Sequence, residues 1–162
     1  KVCLFYRITS WVLKQDKSII KVNRKEDLLT DMLSEGVSVT GEDMLAWRFW
    51  FKYLGYGYNL RDEFIIPNPF KRIEYLIKKE MDLVPTKNIT FRDFITKLIA
   101  KAPEFTDSIN NNSLSFTLSL ALRTLDSQNK IKLINIVDAS DIWHLDKMEY
   151  QLNQVTHISL GR

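Results

Sequence analysis

The sequence predicts a mainly α-helical α+β protein with short β-hairpins, arranged as two units in tandem over residues 1–67 and 68–162. Three observations lead there. Apolar residues recur at helical spacing in several stretches, each ended by glycine, proline or a polar cluster. Short β-rich runs fall between those stretches, in a similar order in the two halves. Pro67-Asn68-Pro69 can continue neither a helix nor a central strand, which makes it the best internal boundary.

In the first unit, residues 4–13 are apolar at helical spacing, and the helix can be extended to Lys17. Residues 18–22 form a short β-like run. Asn23 followed three positions later by Glu26 has capping-box spacing and opens a second helix over 24–34, which Gly36 ends. Residues 37–39 are a short extended piece. Thr40 with Asp43 three positions on is a weaker start signal for a third helix over 42–54, stopped by Gly55 and Gly57. A turn at 59–62 leads to a strand at 63–66.

In the second unit, residues 70–81 are amphipathic, with Phe70, Ile73, Leu76 and Ile77 on one stripe. Residues 89–91 are extended, and a helix over 92–102 stops before Pro103. A polar turn at 107–113 contains three consecutive asparagines. Ser113 or Ser115 then opens a helix to about residue 126. A β-rich run at 130–137, a long polar excursion at 138–153 and an alternating strand at 155–160 complete the chain.

Helix, short strand, helix, helix, strand, loop, strand is the element order of a winged helix. The chain resembles two such modules in tandem, the first with a short, aromatic wing. The resemblance implies that the third helix of each module faces the major groove of DNA, while the wing touches backbone or minor groove.

Composition is that of an ordinary soluble globular chain: of 162 residues, 45% are hydrophobic and 27% charged, with a net charge of +3. All of that excess lies in the first half, where 14 basic residues face 11 acidic ones over 1–81, against nine of each over 82–162. Lys14, Lys17, Lys21, Arg24 and Lys25 are opposed only by Asp16. The single Cys3 cannot form an internal disulfide, which fits a reducing, cytoplasmic setting. No run has the length and hydropathy of a membrane span, because Arg48 and Lys52 interrupt the aromatic stretch 44–58. The chain begins with Lys1 and reads as a fragment of a larger intracellular, microbial protein.

Most catalytic chemistries lack their residues. No Asp or Glu is followed two positions later by Lys, the spacing of common metal-dependent nucleases. There is no phosphate-cradling glycine loop, no HExxH and no paired CxxC, and Gly55-Tyr56-Gly57-Tyr58 reads as a helix stop and turn. His144 lies near Asp138, Asp141 and Asp146, but without fixed ligand spacing the segment reads as a solvated loop. No catalytic residue, metal or cofactor is expected.

Two binding readings remain. For double-stranded DNA, the candidate contacts are the five cations from Lys14 to Lys25, together with Arg48, Lys52 and Arg61. Ser115, Thr117, Ser119 and Arg123 on the third helix of the second unit complete that set. For a protein partner, the candidate surface is aromatic and includes Phe49, Phe51 and Tyr56, while Trp47, Trp50 and Leu54 read as core. Protein docking predicts an exposed apolar patch, and DNA binding predicts a continuous positive surface.

Overall fold

The fold is that of a computed structural model, described over residues 3–15, 17–22, 25–61, 63–83, 88–149 and 151–161, without the side chains of 25–27. It is a mixed α+β chain. Helix α1 spans Leu4–Lys14 and ends earlier than its apolar pattern allows, because Gln15 turns to extended backbone at ψ 126°. Strand β1 is Ile20–Lys21, α2 is Lys25–Ser34 and α3 is Gly41–Tyr53. The expected cap at Asn23 and the first turn at Arg24 lie outside the described residues. Gly36 closes α2 at φ 79°, and Val37 N–H donates to Met32 O at 2.8 Å behind it. The extended piece at 37–39 joins no strand.

Gly55 ends α3 at φ 82°, where any side chain would also lie 2.9 Å from Lys71 Cβ, so both backbone and space require glycine. The chain then forms a hairpin of β2 (Gly57–Leu60) and β3 (Phe64–Pro67). Strand β3 pairs antiparallel with β2 on one side and β1 on the other, giving the order β1-β3-β2.

The second half repeats this plan with an insertion. Helix α4 (Phe70–Lys79) leads to β4 (Ile89–Thr90) and α5 (Phe91–Lys101), whose N-terminus is capped by Thr90 accepting from Asp93 N–H at 3.1 Å. The expected polar turn is instead a 3-10 turn at Pro103–Ser108 followed by a tight hairpin, β5 (Ile109–Asn110) and β6 (Ser113–Leu114). Asn111 and Asn112 take the two left-handed hairpin positions at φ 45° and 60°, which asparagine tolerates better than most residues. Helix α6 (Phe116–Ser127) follows, capped by Ser115, which accepts from Leu118 N–H at 3.4 Å. Strand β7 (Ile131–Ile134), the small strands β8 (Trp143–His144) and β9 (Gln154–Val155), and β10 (His157–Leu160) complete the chain. The main sheet has the order β4-β10-β7, all antiparallel. In each half, therefore, the last strand inserts between the first and the second.

The long excursion after β7 carries more structure than its polar composition suggests. Trp143 and Leu145 are buried, and β8 runs parallel to β6 while pairing antiparallel with β9. Arg92 pins it from α5, donating to both Asp141 carboxylate oxygens at 3.0 and 2.6 Å. That pair holds the Asp141 carboxyl below the usual carboxylate range.

The buried apolar residues of both halves form one continuous cluster, from Ile8, Phe51 and Ile65 to Phe91, Phe105 and Leu122. Helix α1 packs against the 3-10 turn of the second half, and Ser10 Oγ donates to Asp107 Oδ2 at 2.8 Å. Beside that seam, the Tyr56 hydroxyl donates to the buried Glu104 carboxylate, while Arg72 Nε lies 4.0 Å from the same oxygen. Burial pushes the Tyr56 phenol up, and the negative charge of Glu104 adds to the effect.

Candidate docking surface

Helix α3 is built to start sharply. Thr40 Oγ1 accepts from Asp43 N–H at 3.1 Å, and Thr40 N–H donates back to Asp43 Oδ2 at 2.9 Å. This reciprocal capping box lowers the Asp43 carboxyl, chiefly through the Thr40 hydroxyl and then its backbone N–H. From that start, Met44, Trp47, Arg48 and Phe51 turn to the interior. Trp47 Nε1 donates to Thr9 Oγ1 at 2.9 Å, and its ring lies 4.6 Å from that of Phe51. Phe51 in turn stacks on Tyr56 at 5.8 Å. The inner side of the helix is thereby fixed in rotation.

That rotation leaves the other apolar residues outside. Leu45 is 55% exposed, Phe49 61%, Trp50 48% and Tyr53 71%. Leu45, Phe49 and Tyr53 follow one another at i, i+4, so they form a continuous line. Phe49 and Tyr53 stack nearly parallel, with ring centres 6.1 Å apart, and Trp50 meets them edge-on at 5.3 and 5.6 Å. Ala46 lies between the lines of larger side chains, with Glu42 exposed at the N-terminal end and Lys52 at the C-terminal end. The rings pack on one another rather than on the core.

The chain matches the family described as DpdG-like over residues 4–139. It belongs to the DpdG-like family. The match includes all of α3 and continues through α6 and β7, so it takes in both halves of the fold. No curated protein and no solved structure matches the chain.

The residues expected to contact DNA in this family member are dispersed. Lys14 is half-buried and ion-paired with Glu35, whose carboxyl it holds low mainly by hydrogen bonding. Lys17 and Lys21 are exposed and rim a groove of about 510 Å³ whose walls include Trp11, Ile19 and Leu28. Arg24 lies outside the described residues, and the Lys25 side chain is not among those described. Arg48 turns inward and is 7% exposed, so it does not share an outer face with Lys52. Arg61 is exposed at the β2–β3 turn, with φ 51°.

On α6, the expected polar face is largely an inner face. Ser115 caps the helix and also donates to Leu13 O at 3.3 Å, while Thr117 and Ser119 are fully buried. Ser119 Oγ accepts from Asp146 N–H at 2.8 Å. Arg123 is 8% exposed and its Nη2 donates to Asp146 O, Leu152 O and Asn153 Oδ1 at 2.7, 3.1 and 2.8 Å. Ser119 and Arg123 hold the excursion after β7 against α6, Ser115 ties the start of α6 to the end of α1, and Thr117 is buried, so Thr117, Ser119 and Arg123 are not presented to a nucleic-acid groove.

The expected aromatic surface is also corrected. Phe49 is outside, but Phe51 and Tyr56 are fully buried, whereas Trp50 and Leu54, expected in the core, are exposed. The residues missed are Leu45, Trp50 and Tyr53. Arg48 misleads the assignment of faces: a charged residue suggests solvent, yet it shares the inner side with Met44, Trp47 and Phe51. The usable signal was the i, i+3, i+4, i+7 set of Met44, Trp47, Arg48 and Phe51, which places 45, 49 and 53 opposite. Among the described residues, His, Cys, Asp and Glu form no group of three or more able to hold a metal. No described helix is long and apolar enough to cross a membrane.

Proposed function

We propose that this DpdG-like chain is a non-catalytic binding protein made of two winged-helix-like units, the first of which docks a protein partner through the outer face of α3. The unit assignment is supported by the shared topology: helix, edge strand, two helices, then a hairpin whose last strand lies in the middle of the sheet. In such modules the third helix is the usual contact element. One observation carries the docking reading: Leu45, Phe49, Trp50 and Tyr53 form a contiguous apolar face on that helix. Taking about 200 Å² for each large side chain, this face leaves roughly 500 Å² in water, in the range of about 300–600 Å² of a monomer's largest apolar patch, which is often functional. With Glu42 at its N-terminal end, where DNA-reading helices meet bases, the face suits protein better than phosphate.

A photo-cross-linking residue placed at Tyr53 tests this in cells, with the same residue at the exposed Tyr75 as control. Protein adducts at 53 and none at 75 are expected. Equal labelling at both positions removes the reading.

A second reading, contact with double-stranded DNA, is favoured by the exposed Lys17 and Lys21 at the rim of the groove beside α1. Its test is fluorescence anisotropy with a duplex of about 25 bp at about 50 and 200 mM salt. Salt-sensitive binding lost on Lys17→Glu with Lys21→Glu supports it, and absence of binding at the lower salt excludes it for this chain.

A further inference from the structure

We infer that the occupant of the α3 face is a second copy of this chain, packed antiparallel about a two-fold axis. The inference rests on the docking reading above and names its partner. Two features of the face carry it, charge placement and area.

At about 100° per residue, Glu42, Phe49 and Tyr53 lie along the centre of the exposed face, with Leu45 and Lys52 on one flank and Ala46 and Trp50 on the other. Its exposed charged side chains are therefore Glu42 at one end and Lys52 at the other, of opposite sign and ten residues apart. A two-fold axis near the level of Trp47 reverses the second helix, so that Glu42 of each copy meets Lys52 and the Tyr53 hydroxyl of the other. The same operation sets Leu45 and the small Ala46 against the partner's Phe49 and Trp50, so the large rings meet short side chains. Parallel packing would instead place Glu42 on Glu42 and Lys52 on Lys52. Antiparallel packing also opposes the two helix dipoles favourably. A surface complementary to itself under a two-fold is the signature of an isologous interface.

The area sets the class of interface. About 500 Å² from each copy totals roughly 1,000 Å², at the lower limit for a specific interface and in the range of transient ones, so a reversible dimer is expected rather than an obligate one.

Sedimentation velocity on the full chain from about 1 to about 500 μM is the test. The expected result is a reversible shift from monomer to dimer. Phe49→Glu should raise the dissociation constant at least about tenfold without moving the thermal midpoint of the dilute, monomeric chain. Glu42→Lys and Lys52→Glu should each weaken the dimer, and the double reversal should restore it, a recovery that loss of helix stability does not produce. A chain that stays monomeric throughout overturns the second-copy occupant. A dimer indifferent to Phe49→Glu, or one the double reversal fails to restore, also overturns it. The docking reading fails separately: a monomer whose position 53 still cross-links to a different protein keeps that reading and loses only the self-pairing.

Discussion

Phe49 and Phe51 are two positions apart on one helix, and α3 turns one to water and the other into the centre of the molecule. Phe51→Ala removes a ring packed against Trp47 and Tyr56 and should cost about 3–5 kcal/mol in denaturant unfolding. Phe49→Glu should change the same measurement by less than about 0.5 kcal/mol, since its ring is largely exposed and stacks on the likewise exposed Trp50 and Tyr53. Comparable losses in both variants would mean the outer rings support the fold. Asp141 makes a different residue-scale prediction. Its carboxyl is lowered first by the Arg92 hydrogen bonds, so the ionised pair stabilises the folded state above the unfolded aspartate value near ~3.9. That contribution is lost as pH falls through the lower folded value. Asp141→Asn should therefore be less stable than wild type at neutral pH and converge with it in acid; a constant gap across pH would contradict the assignment. The excursion holding Asp141 reads from sequence as solvated loop because its anchors, Arg92, Asn112 and Arg123, come from distant parts of the chain.

Among the elements, α3 owes its start to a local signal and its rotation to packing. Thr40→Ala removes the acceptor for Asp43 N–H and should cost about 1 kcal/mol, with amide exchange rising first over the initial turn. Unchanged exchange there would remove the capping box as a stabilising feature. The Thr40–Asp43 spacing makes this start legible from sequence, whereas the Thr90 cap of α5 shows only in the structure. The hairpin β5–β6 was hidden because three asparagines suggest a loop, whereas two of them occupy left-handed turn positions. The faces of α3 and α6 were the largest misreading. Aromatic residues surround α3, leaving little polar contrast to orient it, and the small hydroxyls of α6 look solvent-facing until the returning chain covers them. Periodicity gives a helix its axis reliably; when both sides are apolar, only the tertiary contacts choose which side is buried.

For the molecule as a whole, the element order was largely legible. The seam between the halves was not, because it depends on pairs such as Tyr56 with Glu104 and Ser10 with Asp107, which no local pattern announces. The continuous core predicts one cooperative unfolding transition. Tyr56→Phe deprives the buried Glu104 of its hydroxyl donor and should lower stability by about 1–3 kcal/mol within that single transition. Two separate transitions in calorimetry would contradict the shared core. The same packing supplies a direct reporter of the central claim, that α3's outer face is covered by protein. Trp11, Trp47 and Trp143 are buried, while Trp50 alone among the four tryptophans stands on that face and is exposed. Acrylamide quenching therefore reads Trp50, with Trp50→Phe as the blank. We expect an accessible component in the dilute chain that becomes protected when protein engages α3, at high concentration of the chain itself or with a cross-linked partner, and that a DNA duplex leaves accessible. Protection by the duplex alone, or a Trp50 that stays open to quencher with every protein, would contradict the account.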